Sequence, residues 1–183
     1  MDRFRFDAML IGDTTLKAVT GNITTMEFDA IVNAANSSLL CGGGVDGAIH
    51  RAAGKELVHE CRLLGGCKTG QAKVTKGHDL PVDWIIHTVG PVWRGGDNGE
   101  PDQLTSCYAE SLKRAREKEA RTIGIPAIST GIFNYPIEEA SRTAVQTVST
   151  LVREYPEAFD VIAFVCFDKT ASDAFEEALR LAK

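Results

Sequence analysis

The sequence is poor in the features that usually announce a metal site, a secreted scaffold or a membrane protein. Its five cysteines (Cys41, Cys61, Cys67, Cys107, Cys166) are odd in number and contain no C-x-x-C pair. That fits reduced thiols in a cytoplasm better than a disulfide framework. His59 stands near Cys61 and Cys67, but this spacing matches no zinc pattern, so no metal is expected. Long apolar runs are missing too: the longest, Val161 to Phe167, suits a core strand and is far too short for a membrane span. The start, Met1-Asp2-Arg3-Phe4-Arg5, leads into no continuous apolar region, so no secretory signal is expected. Basic excess is also absent. The net charge of -5 argues against a general nucleic-acid or membrane-surface binder. Arg114, Arg116 and Lys118 lie among acids and read as a solvated helix face. There is no internal repeat and no low-complexity segment.

What is present is ordinary for a globular protein: 183 residues, 44% apolar and 25% charged. Such a chain forms one domain, 1–183, that buries about 70% of its unfolded surface. Phe4 to Ile11 and Leu16 to Thr20 read as a hairpin across Gly12-Asp13-Thr14. Ala30 to Asn33 is a third strand. Lys55 to Leu64 reads as a helix stopped by Gly65-Gly66. Gln71 to Lys76 and Trp84 to Val89 are strands on either side of 77–81, and polar, glycine-rich loop follows from Arg94 to Pro101. From Asp102, Leu104, Cys107, Tyr108, Leu112 and Ala115 recur at helical spacing. Thr122 to Ile128 is a strand that Pro126 makes terminal or irregular. Pro136 suits the first turn of the helix whose apolar face runs from Ile137 to Val152. Phe159 to Phe167 is a strand buried on both faces, and a last helix buries Phe175, Ala178 and Leu179. Alternating strands and helices of this kind predict an α/β fold, a three-layer α/β/α domain with a mixed central sheet.

The stretch from Asp29 to Gly54 carries the chemistry. A short strand ends in Asn33-Ala34-Ala35-Asn36, and Gly42-Gly43-Gly44 then leads into the helical Val45-Asp46-Gly47-Ala48-Ile49-His50. Glycines let backbone approach an anion, and the first N–H groups of a helix lack intrahelical partners. The carboxylate of Asp46 inside that cradle is the unusual feature. In α/β folds ligands sit outside the carboxyl ends of strands. Three loops there, 21–24, 33–46 and 129–134, together suit a nucleotide-like ligand with a diphosphate. Gly42-x-Gly44-x-x-Gly47 also fits the dinucleotide fingerprint of a NAD-dependent Rossmann oxidoreductase. That alternative is disfavoured, because the glycines do not directly follow the strand and a helix replaces the expected second strand.

The blocks V-N-A-A-N (Val32 to Asn36), G-G-G-V-D-G-A-I-H (Gly42 to His50), H-T-V-G-P (His87 to Pro91) and P-A-I-S-T-G-I-F (Pro126 to Phe133) resemble the macrodomain signature, in its MacroD-type form. The resemblance runs from about Val19 to Phe167. It implies a macrodomain-like fold, ADP-ribose recognition and hydrolysis of ADP-ribosyl esters. The substrates so implied are O-acetyl-ADP-ribose and mono-ADP-ribose on acidic side chains of proteins, and no metal or cofactor is needed. Catalysis would fall to Asp46, with Asn36 on the distal ribose. Adenine would lie by Asn22 and Ile23, with Phe167 as a ring contact. The diphosphate would rest between the backbone of Gly42, Gly43, Gly44 and Val45 and the loop Ser129, Thr130, Gly131, Ile132, Phe133 and Asn134, with Phe133 packing on the ribose. The expected alternative to an enzyme is a non-catalytic ADP-ribose reader, and the chain is expected to be a monomer.

Two departures from the family pattern stand out. Asn22 replaces the usual aspartate of the G-D-I-T block, which weakens a contact to the adenine amino group by about 1 kcal/mol. Asn134 stands where glycine is common, and asparagine tolerates positive φ. Other polar residues have plainer readings. Asn33, His87 and the tryptophans Trp84 and Trp93 are read as structural, and His50 as a helix-surface or satisfied core histidine. Ser129 lacks a G-x-S-x-G elbow and reads as a phosphate-contacting hydroxyl. Asp46 itself could be only a favourable first-turn charge, worth about 0.3–1 kcal/mol.

Overall fold

A computed structural model describes residues 8–183. In chain order the elements are β1 (Ala8–Ile11), β2 (Thr14–Thr20), a 3-10 turn (Ile23–Thr25), β3 (Phe28–Ala35), α1 (Gly44–Ala53), α2 (Glu56–Leu64), β4 (Ala72–Lys76) and β5 (Val82–Val89). They continue with α3 (Glu100–Glu117), β6 (Thr122–Pro126), α4 (Ile137–Glu154), β7 (Val161–Cys166) and α5 (Lys169–Leu181). The part of the first expected strand from Phe4 to Asp7 lies outside the described residues.

The strands form one seven-stranded sheet in the order β1-β2-β7-β6-β3-β5-β4. The two edge strands, β1 and β4, are antiparallel to their neighbours, and the five between them are mutually parallel. Short turns suffice for the antiparallel pairs, whereas each parallel step needs a crossover that places a helix on a sheet face. Strand alternation then sorts the core into two layers. Ala30 and Val32 of β3 face α3, α4 and α5, joining Leu104, Tyr108, Val148, Phe164 and Phe175. Ile31 and Ala35 face the other way, with Ile49 of α1, Leu57 of α2 and Ile85 of β5. The expected α/β/α layering with a mixed sheet is therefore what forms.

Most boundaries differ from expectation by a residue or two, each for a local reason. β6 ends at Pro126, which has no N–H to continue a ladder. α3 begins at Glu100 instead of Asp102. The buried carboxylate of Glu100 accepts hydrogen bonds from the backbone N–H of Arg94, Gly96 and Asn98, which folds the preceding loop back onto the helix start. Pro136 is one position earlier than expected, at the N-cap of α4.

The parallel strands bring the loops after β2, β3, β5, β6 and β7 to one edge of the sheet. Between β3 and β6 the ladder is confined to Ala30–Ile123 and Ile31–Gly124, although β3 continues to Ala35. Two loops, 36–43 and 127–134, leave the sheet from this short pairing, and the candidate site lies there.

Candidate active site

The loop after β3 is held by its own first residue. Asn36 Oδ1 accepts from Ser38 Oγ at 2.6 Å and from the Leu39 N–H at 3.1 Å, and its Nδ2 donates to the Cys41 carbonyl at 3.4 Å. This tight path puts Leu39 (φ 62) and Cys41 (φ 88) in the left-handed region. There a side chain costs roughly 1–2 kcal/mol, the kind of strain that gathers at ligand sites. Gly44, the first residue of α1, has φ 59, a conformation glycine adopts without that cost. No side chain caps the N-terminus of α1, so its leading N–H groups point into the loop region without a capping partner.

Asp46 sits in that first helical turn and is 3% exposed. Its Oδ1 accepts from Asn33 Nδ2 at 2.8 Å, while Oδ2 has no hydrogen-bond partner. A Cβ placed on Gly42 would stand 3.2 Å from that Oδ2 and 3.1 Å from Asn36 Nδ2, so both groups converge on the same glycine. A buried carboxylate oxygen without a donor costs desolvation energy that a merely favourable helix charge would not need to bear. One turn on, His50 is 9% exposed with Nε2 3.3 Å from Asp46 Oδ1, yet not aligned as a hydrogen bond. It is thus neither the surface histidine nor the satisfied core histidine that was expected.

Beneath α1 the sheet contributes polar residues among apolar ones. Asn33 and His87 are register partners on β3 and β5, on the same sheet face as Ile31, Ile85 and Val89. Asn33 Nδ2 lies 3.1 Å from His87 Nδ1, and His87 Nε2 lies 2.8 Å from Thr75 Oγ1 of β4. All three are essentially inaccessible to solvent. Burial, with His50 nearby as a lesser cause, lowers the His87 pKa to about 3, so the ring is neutral.

The second loop closes on itself through Asn134 N–H to the Gly131 carbonyl and Tyr135 N–H to the Ser129 carbonyl. Asn134 adopts φ 58, the conformation for which asparagine was judged a tolerable substitute for glycine. Ser129 also has positive φ, at 66, but its hydroxyl is buried, without a partner, and turned toward Gly90, where a Cβ would meet it at 2.1 Å. It does not face the crevice as a phosphate-contacting hydroxyl would, and Thr130 Oγ1 bonds back to the Ala127 carbonyl. Ile132 is 80% exposed and reaches across to within 3.8 Å of a Cβ built on Gly43, so the two loops approach each other there. Phe133 is half-buried, and its carbonyl accepts from the Trp93 N–H at 2.8 Å. Trp93 in turn packs on Tyr135, which fits its reading as loop packing.

The remaining expected residues lie at the ends of β2 and β7. The Gly21 N–H bonds to the Cys166 carbonyl, which joins the two strand ends. Asn22 caps the 3-10 turn: its Oδ1 accepts from both the Thr24 N–H and Thr24 Oγ1. Only its amide nitrogen is left to face solvent. The Ile23 side chain is buried in the core against α1, so only its backbone is available to a ligand. Phe167 is 91% exposed.

One neighbouring feature falls outside this arrangement. A cleft of about 360 Å³ borders the outer side of the first loop, lined by Ser37, Ser38, Leu40, Arg62, Gly65 and Gly66. No carboxylate or imidazole is among those lining residues. Among the described residues no group of three or more His, Cys, Asp or Glu side chains is placed to hold a metal ion, and no helix is long and apolar enough to cross a membrane.

The sequence model of the Macro domain matches residues 32–144, which contain both loops. The chain belongs to the macrodomain family. An O-acetyl-ADP-ribose deacetylase of Klebsiella pneumoniae is 47% identical over 167 residues, covering 89% of this chain and 95% of that protein. ADP-ribose glycohydrolase MACROD2 of Xenopus laevis is 53% identical over 148 residues, which are 80% of this chain but 35% of that longer protein. Among solved structures, the Oceanobacillus iheyensis macrodomain with ADP superposes with a TM-score of 0.91 at 38% identity, covering 96% of this chain and 95% of that one. A macrodomain replaces the Rossmann oxidoreductase alternative.

Within this macrodomain, sequence reasoning underrated two residues. Asn33 was assigned to structure, yet it touches the carboxylate directly, and His50 stands over the same oxygen. The available signal was periodicity. Positions 46 and 50 are one turn apart on α1, and position 33 shares an inward strand face with Ile31 and Ala35. A polar residue on an otherwise apolar inward face needs a buried partner.

Proposed function

We propose that this chain, a single macrodomain over 1–183, hydrolyses ADP-ribosyl esters: it deacetylates O-acetyl-ADP-ribose and removes mono-ADP-ribose from acidic side chains of proteins. One observation carries the reading. Asp46 is buried, pinned through one oxygen by Asn33, and leaves the other oxygen unpartnered beside Gly42 and Asn36. The names of the relatives from Klebsiella pneumoniae and Xenopus laevis support a hydrolase acting on an ADP-ribosyl substrate.

In this mechanism the diphosphate lies on the N–H groups at the start of α1 and along the 129–133 loop, held by backbone donors and the positive helix end. Val45 and Gly43 supply backbone on one side, and Gly131, Ile132 and Phe133 on the other. The distal ribose then sits between Asn36 and Phe133, and adenine lies toward Asn22, Ile23 and Phe167. Asp46 Oδ2 accepts a proton from a water, which attacks the acyl carbon of the ester. Asn36 Nδ2 donates to the ribose. The C–O bond to the ribose breaks, and the ribose hydroxyl leaves with the proton returned from Asp46. General-base help of this kind is worth roughly 10²–10⁴-fold.

The test compares wild type with Asp46→Ala. Both bind ADP-ribose with similar affinity by calorimetry, and only wild type releases acetate from O-acetyl-ADP-ribose or free ADP-ribose from glutamate-linked protein. Binding by both with turnover by neither would leave a reader module instead.

A further inference from the structure

We infer that His87, held by Thr75, is a positioning residue for the hydrolytic carboxylate and acts on Asp46 through the amide of Asn33. This rests on the ester-hydrolase reading above and extends it to residues that touch no substrate.

The argument is one of donor counting. Asn33 Nδ2 carries two hydrogens and has two close partners, Asp46 Oδ1 at 2.8 Å and His87 Nδ1 at 3.1 Å. For the second contact to be a hydrogen bond, His87 Nδ1 must be the acceptor. The ring proton then sits on Nε2 and donates to Thr75 Oγ1 at 2.8 Å. A neutral imidazole has one donor and one acceptor nitrogen, and this placement uses both. The burial of all four residues leaves no water-exposed route to relax an error.

The opposite tautomer reverses every link. With the proton on Nδ1, two N–H groups would oppose each other at 3.1 Å. Turning the Asn33 amide to relieve that clash would set its oxygen against Asp46 Oδ1, at the 2.8 Å separation now spanned by a donor. The carboxylate would be pushed off its anchor and Oδ2 would lose its aim at Gly42. The hydroxyl of Thr75 on β4, two strands from β3, accepts from Nε2–H and so helps to hold the ring in the tautomer that keeps Asn33 Nδ2 facing Asp46. The Asn33 amide is held through the bonds its nitrogen donates, while its own oxygen is buried without a partner.

The experiment uses Thr75→Val, which removes the acceptor at nearly constant shape, His87→Leu, and Thr75→Ser as the conservative rescue. For each protein, kcat and KM on O-acetyl-ADP-ribose, Kd for ADP-ribose, the melting temperature and the His87 tautomer from long-range nitrogen–proton NMR are measured. The inference expects the Nε2–H tautomer in wild type. It expects kcat to fall roughly 10-fold in Thr75→Val and roughly 10²-fold in His87→Leu, the scale of a small misplacement of a reacting group. Kd should move by less than about twofold, and Thr75→Ser should recover most of kcat. An Nδ1–H tautomer in wild type overturns the inference. So does a Thr75→Val protein with lowered melting temperature and unchanged kcat, which would make the row purely structural. Should His87→Leu fail to fold, Thr75→Val carries the decision alone. A wild type that binds ADP-ribose yet releases no acetate sinks the hydrolase reading and this inference with it. An active wild type with unchanged kcat in both variants sinks the inference alone.

Discussion

His87 makes the acid stability of this macrodomain measurable residue by residue. The perturbation is a drop from pH 7 to pH 5. An imidazole in the unfolded chain has the ordinary value of 6.5, whereas burial of His87 lowers its folded value to about 3. Because the folded pKa is the lower one, its contribution to stability is complete above 6.5. It is lost as pH falls toward the folded value, since the unfolded chain takes up a proton that the native chain refuses. Between those limits the loss grows by 1.36 kcal/mol per pH unit, so about 2 kcal/mol is gone by pH 5. Against a total stability of roughly 5–15 kcal/mol, that is a readable change. The assay is urea unfolding at both pH values for wild type and for His87→Gln, whose amide can still meet Asn33 and Thr75 but does not titrate. The pH response of the other groups is common to both proteins and cancels in the comparison. The variant should lose about 2 kcal/mol less than wild type on acidification. Equal losses, or a ring that takes up its proton near pH 6 in the folded protein, would refute the reasoning.

Three further outcomes follow from the same geometry. Asn22 spends its oxygen on Thr24 and leaves only amide N–H groups outward, so Asn22→Asp should tighten ADP-ribose binding by about fivefold (~1 kcal/mol) in calorimetry; no gain would remove Asn22 from the adenine contact. Burial pushes the Glu100 pKa up, but the N–H donors of Arg94, Gly96 and Asn98 outweigh it and hold it below the ordinary 4.5. Its hold on the 94–99 loop is therefore complete above that value and lost as pH falls through the lower folded one. Trp93 fluorescence should shift in acid, and Glu100→Gln should show that shift already at pH 7. Cys41 is exposed, whereas burial raises Cys61 and Cys107 to about 11 and Cys166 to about 12 and also raises Cys67. A disulfide reagent at pH 8 should label Cys41 first in the native protein, and mass mapping to any other cysteine would contradict that order.

How far the site was legible depends on the range of the forces that build it. The place of the glycine run and of Asp46 at a helix N-terminus was readable because a helix start is a local property. Asn134 was read correctly for the same reason, since its φ of 58 is settled within its own loop. Ser129 was misread because the direction of its hydroxyl depends on Gly90, which another strand delivers. Asn22 looked like an acceptor for a base, but its oxygen is taken two residues away by a turn whose existence the apolar pattern does not reveal. Asn36 spends most of its amide on holding its loop, which its sequence neighbours Ser38 and Leu39 made possible without making it evident.

By itself the sequence determined the class of fold and the order of its elements, because alternation, helical spacing and turn residues act over a few positions. Only the tertiary structure decided which polar atoms meet. Thr75, His87, Asn33 and Asp46 come from β4, β5, β3 and α1, and strand register joins them in a row where exclusion of water makes each hydrogen bond obligatory. Contacts between distant segments of that kind depend on long-range packing, which no local pattern of residues encodes.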